Sequence, residues 1–253
     1  MTDTLFFTIL YLIIFLFGIV IGSFLNVCIF RIPKGESIAK KRSHCMSCGY
    51  QLAWYDLIPL FSWIMLCGKC RKCKAPISPQ YPIIEASNGL LYVLIFLIHG
   101  FSLESVLYCL AVSALLALSV IDFRTFEIPF GFVVFIGVLG VIHMALDFEN
   151  WLSYLIGLIA VSVPLLIILL VSKGRAIGGG DVKLMAACGL LLGWELILPA
   201  FIVGCILGSV IHIIRIRVSG EGHVLAMGPY LSAGVFLSML FGTALVNWYI
   251  SLF

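Results

Sequence analysis

Long apolar runs, separated by short polar stretches, dominate the hydropathy pattern of this chain. Eight can be drawn: Leu5–Leu25, Ile83–Ile98, Leu103–Ile121, Pro129–Leu146, Trp151–Val171, Leu184–Gly193, Leu196–Ile214 and Met227–Phe253. Most approach the roughly 20 residues a helix needs to cross the hydrocarbon core. In lipid a helix satisfies its own backbone hydrogen bonds, so these runs predict helices. The pattern is that of an all-α polytopic membrane protein with about eight transmembrane helices. The sixth run is short, and Leu184–Ile214 is expected to form a tight hairpin turning at Gly193-Trp194-Glu195. The first run does not read as a cleaved signal peptide: it has no basic n-region, its apolar stretch is too long, and no small-x-small site follows.

Composition agrees with this class. Of 253 residues, 62% are hydrophobic and 11% charged, against about 25% charged in soluble domains. A soluble core of that composition is excluded. Charge placement then sets the topology. All fifteen Lys and Arg fall in four places: Arg31–Lys74, Arg124, Lys173–Lys183 and Arg215–Arg217. With eight spans these lie on one side, while the intervening loops carry Glu104, Asp147, Glu149 and Glu195 without a cation. The positive-inside rule makes the basic side cytoplasmic and puts both termini outside.

The one substantial loop, Arg31 to Pro82, contains Cys45-Met46-Ser47-Cys48 and Cys70-Arg71-Lys72-Cys73, two C-x-x-C knuckles with 21 residues between them. A two-residue spacer lets both thiolates of a knuckle reach one metal, so the set suits tetrahedral zinc. Lys41, Arg42, Lys69, Arg71, Lys72 and Lys74 flank the ligands and offset the negative charge of four thiolates around Zn²⁺. A reducing cytoplasmic setting favours metal over disulfides. Four thiolates close the coordination shell, which points to a structural staple for a loop with few apolar residues of its own. Free thiols or a redox pair are the alternative, and Cys67 and His44 do not fit the paired spacing. Cys28, Cys109, Cys188 and Cys205 lie in apolar runs and read as core residues. The aromatic stretch Trp54–Trp63 is expected to lie at the membrane interface.

Two aspartates stand out against the apolar background. Asp122 closes the run from Leu103, and Asp181 follows Gly178, Gly179 and Gly180. A carboxylate at a helix centre in the bilayer costs about 2.5–3.5 kcal/mol, so each calls for a reason. The topology places both on the cytoplasmic face. The glycines, lacking Cβ atoms and tolerating positive φ, can interrupt a helix and admit another backbone. A pair of carboxylates sharing a proton supports aspartic-protease chemistry. On the residues alone, other readings stay open. Each Asp could cap a helix or pair with Arg124 or Lys183, the glycines could be only a loop, and intramembrane carboxylates also serve ion-coupled transporters.

Ordered motifs along the chain narrow the choice. Gly22-Ser23-Phe24-Leu25-Asn26-Val27 and Arg31-Ile32-Pro33 come first, then the two knuckles, Tyr81-Pro82 with Glu85, and Asp122 ahead of Ile128-Pro129. The G-x-G-D element Gly178-Gly179-Gly180-Asp181-Val182-Lys183 and Gly228-Pro229-Tyr230 complete the set. Over nearly its full length the chain resembles the bacterial prepilin peptidases, or type IV leader peptidases. The resemblance implies that Asp122 and Asp181 form the catalytic dyad and that Cys45, Cys48, Cys70 and Cys73 bind zinc. It also implies cleavage of a short basic leader from type IV prepilins and pseudopilins, after Gly and before a Phe-like residue. Many relatives then N-methylate the new terminus with S-adenosylmethionine. Phe130 departs from the family, in which many members have Asp after Ile-Pro, and Cys67 is extra.

On this reading residues 1–82 carry the first transmembrane helix and the zinc loop, with a role in methyl transfer, and residues 83–253 form the peptidase domain. The expected setting is the bacterial inner membrane, with lipid around the helices, the active site on the cytoplasmic side, and no nucleic-acid partner. No glycine-rich cofactor loop stands out in Arg31–Pro82, and the S-adenosylmethionine contacts are not identified. Asn26 reads equally as a contact between helices and Glu85 as a helix-start acid. His99, His143, His212 and His223 read as interfacial. Glu127 and Glu221 are acids positioned to receive a basic leader by charge complementarity.

Overall fold

The computed structural model describes residues 2–40, 42–219 and 225–252. Helices are α1 (Thr2–Arg31), α2 (Phe61–Met65), α3 (Gln80–His99), α4 (Leu103–Thr125), α5 (Phe130–Leu146), α6 (Trp151–Ala160), α7 (Ser162–Val171), α8 (Gly179–Leu192), α9 (Trp194–Ser219) and α10 (Gly228–Ile250). Among the described residues, each apolar run of the sequence is helical over most of its length. Six spans among the described residues are long and apolar enough to cross a membrane: Thr4–Lys34, Gln80–His99, Leu103–Thr125, Phe148–Val171, Trp194–Val218 and Gly228–Ile250. The fourth joins α6 to α7 across a break at Val161. At 17 and 14 residues α5 and α8 are shorter, and at 1.5 Å per residue α8 is only about 21 Å long. The eight apolar runs thus correspond to six helices of full spanning length and two shorter ones, α5 and α8. The chain is a multi-pass membrane protein, and exposed Leu5, Leu12, Phe17, Val134, Ile167 and Ile206 show the apolar surface this demands.

Local chemistry sets the helix ends. Pro33 stops α1, and the chain leaves through a 3₁₀ turn at Ile32–Lys34 into left-handed Gly35. Ser102 caps α4 by accepting the Ser105 N–H at 3.1 Å. The far end of α4 is closed by Phe126 in the left-handed region, its N–H donating to the Asp122 carbonyl at 2.8 Å. Gly193, at φ +77°, turns α8 directly into α9, where the sequence placed the hairpin.

The chain divides into two compact units, Met1–Phe101 and Ser102–Phe253. In the first, α3 packs along α1 because Gly18 and Gly22 remove side chains from the contact. A Cβ on Gly18 would lie 2.6 Å from Gly89 Cα, and one on Gly22 would lie 2.8 Å from Glu85 Cα. Such small-residue spacing permits close van der Waals contact between helices in lipid, where no hydrophobic effect drives association.

The second unit is organised around α8, which packs against α5, α6, α7 and α9. Leu184, Met185, Cys188 and Leu191 are fully buried. Backbone meets backbone where Gly157 of α6 crosses Gly189 of α8, and a Cβ on Gly189 would lie 2.1 Å from the Gly157 oxygen. His143, expected at the interface, is instead buried. Its Nδ1 lies 2.7 Å from the Leu191 carbonyl, and its ring sits between Tyr108 and Tyr154. It thereby meets a carbonyl at the end of α8 that has no intrahelical donor.

Candidate functional site

Asp122 and Asp181, 59 residues apart in sequence, line one cavity of about 310 Å³ in the second unit. Phe126, Glu127, Ile128, Phe130, Lys183 and the glycine run share its wall. Asp122 projects from the last turn of α4 and is 4% exposed. Its Oδ2 accepts the backbone N–H of Gly228, the first residue of α10, at 2.9 Å. Unpaired N–H groups and the helix dipole make such a terminus a natural partner for a carboxylate. A Cβ on residue 228 would lie 2.6 Å from that same oxygen, so only glycine fits.

Asp181 is the third residue of α8. Its carboxylate reaches back to the backbone of Gly178, the N-cap residue, in the manner of an N-terminal capping box. The three glycines do not use positive φ: Gly178 is extended at φ −76° and the next two are helical. Gly180 instead admits Ile128, whose Cβ lies 3.1 Å from where a side chain would start. Each carboxylate is within electrostatic reach of the other. Neither is ion-paired among the described residues. Lys183 lies over the Phe130 ring at 5.4 Å, not against Asp181. Glu127 does line the cavity; Glu221 and His223 lie outside the described residues.

In the first unit, Cys45, Cys48, Cys70 and Cys73 converge, with all four sulfurs within 4.8 Å of one another. The two knuckles share one construction. Cys45 N–H donates to the Tyr50 carbonyl and Gly49 N–H to the Cys45 carbonyl, while Cys70 N–H donates to Ala75 and Lys74 N–H to Cys70. Gly49 and Lys74, each just after the second cysteine of its knuckle, take the same left-handed conformation at φ +69° and +59°. Cys45 Sγ is 3.8 Å from Cys73 Sγ. That matches the edge of a tetrahedron with metal–sulfur bonds of about 2.3 Å, or about 3.8 Å between sulfurs; a disulfide would need about 2 Å.

Thiol electrostatics also fit a metal. Backbone N–H groups of Cys48 and Ser47 hold the Cys45 thiol down to about 6. At Cys73 the Ala75 N–H favours the thiolate, but burial and the sulfurs of Cys48, Cys70 and Cys45 push the thiol up to about 11. Four sulfurs at this separation cannot all ionise without a cation between them. The group can hold a metal ion. Cys67 is exposed and outside the cluster, and Cys28, Cys109 and Cys188 are buried in the helices. Arg71 ties the second knuckle to the aromatic stretch through Asp56 at 2.7 Å and through the Tyr55 face.

Sequence reasoning named Gly228 only as part of a motif, with no role. Gly228-Pro229 signals a helix start, but which carboxylate the terminus meets depends on packing across 106 residues.

Residues 16–99 match the Bacterial Peptidase A24 N-terminal domain, and residues 109–213 match the Type IV leader peptidase family. Among curated proteins, the chain is 33% identical over 214 residues to a prepilin leader peptidase/N-methyltransferase of Myxococcus xanthus, covering 82% of this chain and 64% of that protein. It is 30% identical over 243 residues to the protein of that name from Bacillus subtilis, covering 95% and 98%, and 31% identical to the one from Stutzerimonas stutzeri, covering 92% and 91%. No solved structure gives a significant match. The alignments span both units, and with them the knuckles and both cleft aspartates: this chain belongs to the type IV leader peptidase family.

Proposed function

We propose that the protein is a prepilin leader peptidase and N-methyltransferase whose Asp122 and Asp181 form the hydrolytic dyad. The convergence of these two carboxylates in one cavity carries the reading. Two carboxyl groups that face one cavity and act electrostatically on each other share a proton. The ionised member takes a proton from a water as its oxygen adds to the scissile carbonyl, and the protonated member donates to that carbonyl oxygen. The Gly228 N–H and the Gly178 backbone orient the two groups before substrate arrives.

The substrates are type IV prepilins or pseudopilins, entering a bacterial inner membrane with lipid around the helices. Their basic leader stays at the cytoplasmic side, where the dyad meets the junction between leader and apolar helix. Glu127 at the cavity wall is placed to attract the leader's cations. Nucleic acid has no part in this scheme.

Cys45, Cys48, Cys70 and Cys73 would hold a structural zinc ion, which would stabilise the loop and supply no catalytic chemistry. S-adenosylmethionine supplies the methyl group for the new N-terminus. The test is incubation with a prepilin, with and without S-adenosylmethionine, followed by mass measurement of the product. Loss of the leader in both samples and one added methyl group only with the donor are expected. An uncut prepilin would overturn the peptidase reading, and a cut but unmethylated product would overturn the transferase reading.

A further inference from the structure

Away from the dyad, the first unit buries a second polar cluster. Glu85 of α3 is 6% exposed. Its Oε2 accepts the Leu60 N–H at 2.8 Å, and the Ser23 hydroxyl of α1 meets the same carboxylate. Among the described residues no Lys, Arg or His pairs with it. One helical turn along the contact, Asn26 is 2% exposed. Its Nδ2 donates to the Tyr81 carbonyl at 3.1 Å and the Gly22 carbonyl at 3.4 Å. Both partners are acceptors, so the amide orientation is set, and Oδ1 is left buried without a donor.

The backbone here is also unusual. Leu60 sits at φ +60°, ψ −53°, and the Phe61 N–H donates to the Pro59 carbonyl at 2.6 Å. This is a γ-turn of the strained hand, and Glu85 holds it in place. Strain at Leu60, held by Glu85, and unspent hydrogen-bonding capacity at Asn26 lie about one helical turn apart in the first unit.

The chemistry of the cluster is one-sided. Glu85 and the Asn26 carbonyl only accept, and Ser23 offers a further oxygen; a positively charged donor would complete the set. A buried carboxylate gains most from a paired charge that also makes hydrogen bonds. A primary ammonium brings one positive charge and three N–H groups to three oxygens.

We propose that Ser23, Asn26 and Glu85 bind a primary ammonium, the α-amine exposed by leader removal, and that the Glu85 carboxylate takes one proton from it so that the nitrogen lone pair is free to accept the methyl group. The inference rests on the leader-peptidase reading. Depth favours an α-amine over a lysine of the leader. Glu85 lies at the start of the apolar run Ile83–Ile98, next to buried Ile84. An amine followed at once by apolar residues suits that position, whereas leader lysines belong on the polar side.

The test uses the full chain in detergent micelles, without methyl donor, and a synthetic peptide of the apolar first residues of a processed pilin. Three forms are compared by calorimetry: free amine, N-acetylated, and N-acetylated with one internal lysine. The wild type should bind the free-amine form about tenfold or more tighter than either acetylated form. Glu85→Gln keeps an oxygen for the Leu60 N–H and should retain its metal while losing the preference. Wild-type binding indifferent to acetylation, equal binding of the lysine form, or a preference surviving in E85Q each overturns the proposal. Should E85Q lose its metal, Ser23→Ala decides by the same criterion. Cleavage of an intact prepilin is measured on the same preparations. Failure of the wild type to cleave would undo the peptidase reading, while cleavage with amine-blind binding overturns this inference alone.

Discussion

Replacing Gly228 by alanine places one methyl group against the carboxylate of Asp122. The added Cβ would lie 2.6 Å from Oδ2, 3.0 Å from Cγ and 3.2 Å from the Asp122 Cβ, where ordinary contact begins at 3.4 Å. The carboxylate must therefore retreat by about 0.8 Å or rotate, since Gly228 is fixed at the start of α10 and Asp122 in a helix. A misplacement near 1 Å costs about 100-fold in rate, or about 2.7 kcal/mol of barrier. The displaced group also loses the geometry of its 2.9 Å hydrogen bond from the Gly228 N–H. The assay is the initial rate of leader release from a prepilin in proteoliposomes. Metal content and thermal unfolding serve as controls for folding. Gly131→Ala is the matched control, because a Cβ there meets nothing within 4 Å; it should cleave at close to the wild-type rate. A G228A enzyme as fast as G131A would refute the placement of the α10 terminus against Asp122.

Other outcomes follow from the same contacts. Gly189→Ala forces a Cβ to within 2.1 Å of the Gly157 oxygen, an overpacking expected to cost at least about 1–3 kcal/mol and to be read as a lower unfolding temperature with reduced cleavage. Cys70→Ser, at a buried ligand position, should abolish the metal content of purified protein and leave the loop protease-sensitive.

Much of this arrangement was legible in the sequence because it rests on local signals. Apolar runs marked the helices, and Gly193 marked the α8–α9 turn. The 21-residue spacing of the knuckles fitted a four-sulfur cluster without any knowledge of the loop's path. That Asp122 and Asp181 line one cavity is compatible with the cation distribution, a long-range signal written in composition. What stayed hidden was contact geometry. Gly178–Gly180 read as a source of positive φ, but the backbone stays in ordinary regions and the space is used by Ile128 and by Asp181 itself. The short α8 did not reveal that it is the buried centre of its unit, nor that His143 meets the Leu191 carbonyl near its end. The grouping of α3 with α1, where Gly18 faces Gly89 and Gly22 faces Glu85, depends on a register between helices that hydropathy does not encode.

The most direct measurement is cleavage of an intact prepilin by Asp122→Asn and Asp181→Asn proteins that retain their metal and their unfolding temperature. An Asn removes one acidic group while keeping size and hydrogen-bonding atoms, so the cleft survives and the shared proton does not. The dyad account predicts that both variants leave the leader attached over the time in which the wild type removes it completely. Leader release by either variant at a rate comparable to the wild type would contradict it.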